Sequence, residues 1–505
     1  MSAPAAGPVR IPDDVADAVR RVVVHARSGG RTGYLAWAFA LPALAAEDGL
    51  RAFAWAGMRD RYYWERVDAG ELAFAWGSVD ELEDEGLGRF GTVRSWQRDV
   101  VARLVFAGDP RPGGSPLFFG GFGFEAKAIA DPDWKGFPAA RFVLPEGIVE
   151  RIAGCGRGVV FARIEPNTTN AAVEADLIRR MGEARASIRP RASIRPLEET
   201  ASSIVEEPGP SPEGPEYRVR SDRSHAQFRG QVASALGEIA TGRLEKLVLA
   251  RSLAVDHDGE FDVASFLERL RGVYPSCTLV AVGRGRDTFL AATPETLVRV
   301  VGRRVETAAL AGSTPRGRTP EEDRELAAAL LASDKERAEH AHVVDAIRAV
   351  LEPRCMRLSV SERPRLRALF GIQHLETAFE GELAPLLSGS SPCDALALVE
   401  ALHPTPAVAG APAAAAAAWL RQNERLVRGW YAAPIGWLDA EGGGAFCVGL
   451  RSALIRNGLG PVGQPGASRA RLYAGAGIVA GSDPERELVE TRIKLRALLA
   501  PLTEI

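Results

Sequence analysis

Cysteine is scarce in this chain of 505 residues, and its few copies form no recognisable pattern. The five cysteines are far apart and include no Cys-x-x-Cys pair or matching histidine pair: Cys155, Cys277, Cys355, Cys393 and Cys447. Such spacing is typical of reduced thiols in a cytoplasmic protein and not of a disulfide scaffold or zinc site. We therefore expect free thiols and a cytoplasmic location.

Long apolar runs are also missing. No stretch approaches the roughly 18 apolar residues of a membrane-spanning helix, and the alanine run at 413–418 is far too short. The first residues, Met-Ser-Ala-Pro-Ala-Ala-Gly-Pro, contain no charged segment followed by an apolar core, so they do not resemble a signal peptide. The sequence thus predicts no membrane partner.

A strong excess of one charge is absent as well. The 62 Lys and Arg residues nearly balance the 65 Asp and Glu residues, which gives a formal net charge of −3. Because nucleic-acid-binding proteins present a basic face, we expect no nucleic-acid partner. A hydrophobic fraction of 46% is ordinary for a globular protein, and the length allows one very large domain or two ordinary ones.

Three regions differ in character. Residues 1–184 alternate short apolar runs, such as Gly33–Leu41 and Phe118–Phe124, with turns. Residues 185–218 carry the hexapeptide Arg-Ala-Ser-Ile-Arg-Pro twice and then an acidic, proline-rich stretch. Little apolar surface is available there to offset the entropy of ordering, so we interpret it as a linker or exposed excursion. Residues 219–505 contain the candidate catalytic residues.

Helix and strand signals are clearest in this last region. Apolar spacing predicts a helix over 224–242 and strands over 246–255 and 444–456. Thr319-Pro320-Glu321-Glu322 predicts the start of a helix that runs to about Leu351, with a break near Ser333. The same kind of capping pattern predicts that the last helix starts at Ser482. Many strands of antiparallel type, separated by long helices, indicate an α+β fold.

Carboxylates on two helices are candidate metal ligands. Glu487, Glu490 and Lys494 are spaced by three and four residues, so they share one face of the last helix. Glu339 lies on the preceding long helix. Solvated surface charges are the alternative for all of them. Two carboxylates with few other ligands suit Mg²⁺, which prefers oxygen and retains water.

Three further residues suggest acid–base and anion-binding chemistry. Lys246 begins an apolar strand, where burial would favour the neutral amine that a base requires, unless the side chain reaches water at the sheet edge. Glu295, in Thr-Pro-Glu at a strand end, could stay protonated in a cleft and act as an acid. Arg451 lies within a predicted strand, where an unpaired charge is costly, so it requires an anion such as a carboxylate.

Other catalytic motifs are missing. The sequence has no Walker loop, no Rossmann fingerprint, no Gly-x-Ser-x-Gly elbow and no His-Glu-x-x-His, and His340 and His342 are too close on a helix to face one metal. Small residues around Gly475 would let a ligand carboxylate reach backbone N–H groups. The residues alone therefore predict an anion-binding site with a divalent metal, a lysine and a glutamate, but they do not define the substrate.

The most informative stretch is Leu402-His-Pro-Thr-Pro-Ala-Val408, because its prolines exclude a helix interior or central strand and indicate a shaped loop. Together with other segments it resembles the chorismate-binding superfamily, in the form typical of isochorismate synthases. The other segments are Lys246–Arg251, Thr293–Glu295, Ala309–Gly317, Lys335–His340, Arg428–Tyr431, Leu450–Ala453 and Leu472–Val479.

Departures within these segments indicate the branch. Relatives that make aminodeoxychorismate usually carry a nucleophilic lysine where this chain has Ala311. Anthranilate and salicylate synthases usually have threonine at the position of Ala407 and lysine at that of Ala413. A smaller departure is Ser313-Thr314, where many relatives have threonine directly after the glycine.

The resemblance implies a large two-sheet antiparallel β-sandwich flanked by helices, with the site at one end. It implies conversion of chorismate to isochorismate by attack of water at C2 and loss of the C4 hydroxyl. Lys246 would deprotonate the water and Glu295 would protonate the leaving hydroxyl. Glu339 and Glu490, with Glu487 nearby, would hold Mg²⁺ against the ring carboxylate.

The remaining implied residues bind substrate. Arg451, Tyr473 and Gly475 would hold the enolpyruvyl carboxylate side, and Gly312 and Thr314 would line the polar edge of the ring. Two further substrate-binding positions are Ala407 and Lys494. We expect no glutamine amidotransferase partner and a monomer.

Alternatives to isochorismate synthase are a salicylate synthase and a non-catalytic chorismate-binding subunit. The pathway served would be that of menaquinone or of a siderophore, and the long N-terminal part favours menaquinone.

Overall fold

The computed structural model describes residues 10–109, 114–126, 131–152, 154–188, 217–385, 393–459 and 467–503. Among them the chain forms eleven α-helices and two large sheets. The helices are α1 (Asp13–Gly29), α2 (Ala46–Trp55), α3 (Arg89–Val101), α4 (Asn170–Ser187), α5 (His225–Ala240), α6 (Val263–Val273), α7 (Pro320–Ala332), α8 (Asp334–Leu351), α9 (Ala395–Leu402), α10 (Ala413–Asn423) and α11 (Pro484–Thr503).

Strands make up most of the remainder. The strands are β1 (Gly33–Leu41), β2 (Arg61–Arg66), β3 (Glu71–Trp76), β4 (Asp80–Asp84), β5 (Leu104–Gly108), β6 (Phe118–Phe122), β7 (Ala140–Leu144), β8 (Gly147–Ile152), β9 (Cys155–Ile164), β10 (Tyr217–Ser221), β11 (Lys246–His257), β12 (Thr278–Arg284), β13 (Asp287–Thr293), β14 (Thr296–Val301), β15 (Arg304–Pro315), β16 (Cys355–Val360), β17 (Arg365–Leu369), β18 (Ile372–Leu383), β19 (Gly410–Ala411), β20 (Pro434–Leu438), β21 (Gly444–Val448), β22 (Ser452–Arg456) and β23 (Ser468–Val479).

The two sheets draw strands from both halves of the chain. The large sheet has 13 strands in the order β10-β11-β23-β22-β13-β12-β2-β3-β8-β9-β1-β5, and the short β19 pairs with β11. The small sheet has ten, in the order β16-β18-β15-β14-β21-β20-β6-β7-β4, and β17 pairs with β18. The pairings are antiparallel, as predicted, except that β5 runs parallel to β1. Since β2 of the N-terminal region pairs with β12, the two regions share one continuous sheet.

The core lies between the sheets and beneath the outer helices. Successive side chains of a strand point to opposite faces, and β2 shows both environments. Tyr62 and Trp64 belong to the buried cluster that also contains Phe119 of the small sheet, whereas Tyr63 packs in the cluster with α1, α2 and α6. The rings of Tyr62 and Phe119 are in contact, with centroids 5.9 Å apart and planes tilted by 32°. The result is the α+β sandwich that the sequence predicts.

The predicted break in the long helix is confirmed. Thr319 Oγ1 accepts a hydrogen bond from Glu322 N, at 3.2 Å, at the start of α7. Ser333 Oγ accepts one from Glu336 N, at 3.3 Å, at the start of α8. Each side chain satisfies a backbone donor that the first helical turn leaves free, so Ser333 ends one helix and caps the next.

One predicted strand is wrong. Residues 444–456 form two strands, because β21 pairs in the small sheet and β22 in the large one. The chain crosses between the sheets at Gly449–Arg451, and Arg451 has a φ of 47°. An interrupted strand was invisible in the sequence because both halves are apolar and the crossing is only three residues long.

The region predicted as an excursion, 185–218, begins and ends in regular structure. Its first residues belong to α4, which runs to Ser187, and its last belong to β10, which starts at Tyr217. Most of the hexapeptide repeat lies outside the described residues. All five cysteines are free. A search of the helices for an apolar segment of membrane-crossing length found none among the described residues.

Candidate active site

A cavity at one end of the sandwich collects most of the predicted site residues. It encloses about 100 Å³ and is lined by both sheets, α8, α11 and their connections. A larger cavity beside Trp134, of about 560 Å³, contains none of the predicted site residues. Those that line the smaller cavity are Glu295, Gly312, Glu339, Ala407, Arg451, Tyr473, Gly475, Glu490 and Lys494.

Lys246 lies just behind this lining. It is the first residue of β11 and is 0% exposed, which excludes a side chain that reaches water at the sheet edge. Its Nζ lies 3.0 Å from Glu339 Oε1. The ammonium has no hydrogen-bond partner among the described residues, so this contact is an ion pair. A buried ammonium group paired only in this way is unusual in a structural role, since buried polar groups are normally hydrogen-bonded.

Gly477 of β23 makes room for this pair. A Cβ atom at Gly477 would lie 2.1 Å from Glu339 Oε1 and 3.4 Å from Lys246 Cε. Any other side chain would therefore displace the carboxylate. The small residues of this strand are thus explained by the space that Glu339 and Lys246 require.

The proline-rich loop packs against the strand that carries Lys246. Its end forms β19, which pairs with Lys246 and Leu247. Val248 N donates a hydrogen bond to Ala409 O at 2.9 Å. Gly410 has a φ of 140°, and a Cβ atom there would lie 2.3 Å from Lys246 O. Only glycine allows such a close approach.

A buried ion pair fastens the same loop. Arg428 binds Glu424 through Nε to Oε2, at 2.9 Å, and through Nη2 to Oε1, at 2.8 Å. Arg428 also donates to Val408 O, at 2.7 Å, and to Val248 O, at 2.8 Å. Glu424 accepts from Ala250 N at 2.7 Å. The pair therefore joins the loop to β11.

Glu295 is the carboxyl group best suited to act as an acid. It lies in the connection between β13 and β14 and is 6% exposed. Burial raises the pKa of Glu295 to about 7, although Lys246 and Lys494 act in the opposite direction. Removal of a carboxylate from water disfavours its charged form. Glu295 can therefore keep a proton at neutral pH.

Positively charged side chains also line the cavity. Arg451 is 8% exposed, and its Nη1 has no hydrogen-bond partner among the described residues. Its Nη2 lies 3.4 Å from His374 Nε2. Burial, and then Arg451 and Lys494, hold the pKa of His374 well below its ordinary value. A neutral histidine beside an arginine and a lysine leaves a site suited to an anion.

Four carboxyl groups lie close together where α8 meets α11. Burial, and then the charge of Glu490, raise the pKa of Glu487 to about 7. Burial, and then the charge of Glu339, raise the pKa of Glu336. Repulsion of this kind shows that the groups share one neighbourhood. Still, no group of three or more such side chains has metal-binding geometry among the described residues, and each carboxylate faces a lysine.

Two predicted residues lie outside the lining. Thr314 does not contact the cavity; Ser313 lines it instead, because Gly312 adopts a φ of 74° in a β-bulge that shifts the register. Glu487 is 2% exposed and binds Lys335 Nζ at 3.1 Å.

Several lining residues were not singled out from the sequence. They are His374, Tyr431 and Ser313, and Glu336 and Lys335 lie just behind them. Tyr431 stood within the quoted Arg-Gly-Trp-Tyr segment, and its ring stacks on Tyr473 with centroids 5.1 Å apart. His374 lies in β18, outside every segment quoted from the sequence, so no local signal distinguished it.

The known proteins that this chain resembles are chorismate binding enzymes, among them isochorismate synthases. Residues 21–503 match the family described as chorismate binding enzyme. A protein of Pseudomonas aeruginosa named salicylate biosynthesis isochorismate synthase is 36% identical over 448 residues, covering 88% of this chain and 85% of that protein. Isochorismate synthase MenF of Bacillus subtilis is 36% identical over 271 residues, which cover 54% of each chain.

Solved structures share the fold. The menaquinone-specific isochorismate synthase MenF from Escherichia coli aligns with a TM-score of 0.69, covering 97% of this chain and 99% of that one, at 23% identity. Isochorismate synthase DhbC from Bacillus anthracis aligns with a TM-score of 0.64 at 25% identity, covering 88% and 96%.

Proposed function

Because this chain belongs to the family of chorismate binding enzymes, we propose that it is an isochorismate synthase that converts chorismate to isochorismate. The observation that carries the proposal is the joint placement of Lys246, Glu295 and Arg451 around one cavity. The relatives named above support this reaction over others of the family. The fully buried lysine and the raised pKa of Glu295 argue against a non-catalytic chorismate-binding subunit.

Chorismate carries two carboxylates, and the cavity offers partners for them. Arg451 has an open Nη1 donor for one carboxylate. Lys494 Nζ lies beside it on α11 and donates to Gly475 O at 2.9 Å and to Glu490 Oε1 at 2.7 Å. An arginine fork binds a carboxylate through paired hydrogen bonds. These contacts would orient the substrate ring between the two sheets.

Lys246 and Glu295 would move the protons. The ammonium group of Lys246 would first lose a proton to solvent. Its amine would then take the proton of the water that attacks C2, and the carboxyl of Glu295 would give its proton to the hydroxyl that leaves C4. One group gains a proton and the other loses one, so the enzyme must be reset by exchange with solvent. A carboxyl with a pKa of about 7 suits this work near neutral pH.

Glu339 and Glu490 fit a Mg²⁺ ion. Both line the cavity from separate helices, and the oxygen-only donor set is the kind that this ion prefers. When bound, the ion would neutralise charge on the substrate carboxylate. Glu487 lies outside the cavity lining, so it would support Glu339 and Glu490 and not face the cavity itself.

Ala407 favours isochorismate as the final product. It lines the cavity and lacks the hydroxyl that relatives with a second reaction step place there. One lost hydrogen bond is worth roughly 0.5–1.5 kcal/mol, enough to bias the outcome. A salicylate synthase is the second candidate.

The pathway served would be that of a siderophore or of menaquinone. The long N-terminal part does not favour menaquinone, because the Pseudomonas relative named for salicylate biosynthesis aligns over 448 residues. We therefore propose the cytoplasmic synthesis of isochorismate for either pathway.

Product analysis tests the proposal. The pure protein is incubated with chorismate and Mg²⁺, and the products are separated by chromatography. We expect isochorismate alone from the wild type and a loss of about 10²–10⁴-fold in rate for Lys246→Ala. The exposed Lys135, changed to alanine, is the matched control and should keep full activity.

Other outcomes would contradict individual parts of the proposed function. Salicylate and pyruvate that accumulate as chorismate disappears would show that the branch is wrong. Chorismate that binds but is not consumed would indicate a non-catalytic subunit. A Lys246→Ala variant within a few-fold of wild type would remove Lys246 as the base.

A further inference from the structure

Lys335 is a partly exposed cation without a role in the proposed reaction. It is the second residue of α8, and its Nζ lies 3.1 Å from Glu487 Oε1 and 3.3 Å from Glu336 Oε1. The side chain of Glu487 is 2% exposed and that of Lys335 is 31% exposed, so the ion pair is shielded from water on the side of the carboxylate. Lys335 does not line the cavity, yet it neutralises the carboxylates directly behind Glu339 and Glu490.

The other carboxylates of this neighbourhood are also paired with lysines. Lys246 contacts Glu339 at 3.0 Å, and Lys494 contacts Glu490 at 2.7 Å. Lys246 is the proposed base for the attacking water, and Lys494 is a proposed substrate-binding residue. Both lysines therefore have a role in the proposed function. Among the described residues, the salt bridges of Lys335 are those to Glu336 and Glu487, and neither carboxylate lines the cavity.

We propose that Lys335 is a built-in counter-ion that weakens the binding of a divalent cation to this carboxylate cluster until an anionic substrate arrives. The inference rests on the proposed metal-dependent function. A fixed positive charge paired with the carboxylates behind Glu339 and Glu490 would repel a divalent ion held there. The negative charge of the substrate then offsets this repulsion, so metal and substrate bind together rather than singly.

The geometry favours this role over that of a simple tether between helices. Glu336 is already held by Ser313 N, which donates to its Oε2 at 2.8 Å. Glu487 is already embedded in the packed face of α11. Neither carboxylate therefore needs the ammonium group for its position, whereas the ammonium group offsets the negative charge of both when no metal is bound.

Manganese binding tests the role without any turnover. Mn²⁺ replaces Mg²⁺ as an EPR-visible probe and is titrated into the substrate-free full-length protein. Lys335→Met keeps the apolar stem and removes the charge. We expect its Kd for Mn²⁺ to be about tenfold lower than that of the wild type, and Lys335→Arg to stay near the wild type.

The matched control lies on the same helix. Arg337 is exposed and, within the described part of the chain, forms its salt bridge with Asp334, so Arg337→Met removes a positive charge that is not paired with the cluster. Its Kd for Mn²⁺ should stay within twofold of the wild type. Thermal unfolding of each variant shows whether it is folded.

An unchanged or higher Kd in a folded Lys335→Met protein would overturn the proposal, and so would an equal effect in Arg337→Met. Absence of Mn²⁺ binding in both wild type and Lys335→Met would also overturn it. Chorismate turnover is measured separately on the same samples. An active wild type with an unaltered Kd in Lys335→Met therefore refutes the counter-ion role and leaves the proposed function standing.

Discussion

Glu295 shows how the burial of one side chain can couple catalysis to stability. In water its carboxyl has a pKa of about 4.5, and burial between the sheets raises it to about 7. The folded protein therefore holds this proton more tightly than the unfolded chain does. The contribution of Glu295 to stability is greatest below pH 4.5 and is lost as the pH rises through 7.

We therefore expect Glu295→Gln, which cannot ionise, to gain stability relative to the wild type as the pH rises from 5 to 8. The shift from 4.5 to about 7 sets an upper limit of about 3 kcal/mol for this change. Urea unfolding at the two pH values measures it. The exposed Glu325→Gln is the control. A difference between Glu295→Gln and wild type that is the same at both pH values would contradict the assigned burial effect.

Individual site residues could be predicted from the sequence where they lie in a segment that resembles the family. Glu339, Arg451 and Gly475 were predicted on that basis and line the cavity. Thr314 was misplaced by one residue, because the bulge at Gly312 exchanges it with Ser313. A bulge depends on the pairing of two strands, so the sequence of one strand cannot reveal it.

At the scale of elements, the ion pair of Arg428 and Glu424 determines how the proline-rich loop sits on β11. Arg428 is 3% exposed and donates to carbonyl groups of both the loop and the strand. A buried pair costs much when only one partner is removed, because the other charge remains in a poorly solvated place. The loop and the strand then lose their shared anchor beside Lys246.

We expect Arg428→Met to lower the free energy of unfolding by about 3–5 kcal/mol. The double variant Arg428→Met with Glu424→Gln should recover part of this loss, since no charge is then left unpaired. Urea denaturation measures both. The exposed Arg421→Met, on the neighbouring helix, should change stability by less than about 0.5 kcal/mol. A double variant less stable than the single one would contradict the argument.

Elements with local signals were predictable. The break at Ser333 follows from capping residues that act within one helical turn. The crossing at Gly449–Arg451 has no such signal, because it depends on which sheet each half of the apolar run joins. Sheet membership is a long-range property, and alternation along a strand does not encode it.

At the scale of the whole molecule, the site exists only because the two sheets meet. β11 and β23 of the large sheet supply Val248, Tyr473 and Gly475, and β15 and β18 of the small sheet supply Gly312 and His374. Helices α8 and α11 close the end with Glu339 and Glu490. The sandwich therefore brings the proposed acid, base and anion-binding groups from separate elements to one end of the fold.

The proposed metal site depends on the assembled fold, because its two carboxylates lie on separate helices. We expect activity to vanish when EDTA removes divalent ions and to return with Mg²⁺ but not with Ca²⁺. Glu339 and Glu490 provide few oxygen ligands, and Mg²⁺ accepts water for the rest, whereas Ca²⁺ demands more ligands at longer distances. Isochorismate formation, followed by chromatography after each addition, measures this. Full activity in metal-free buffer would show that Glu339 and Glu490 are not metal ligands. Equal rescue by Ca²⁺ would show that the closed end of the sandwich is wider and more adaptable than its paired carboxylates indicate.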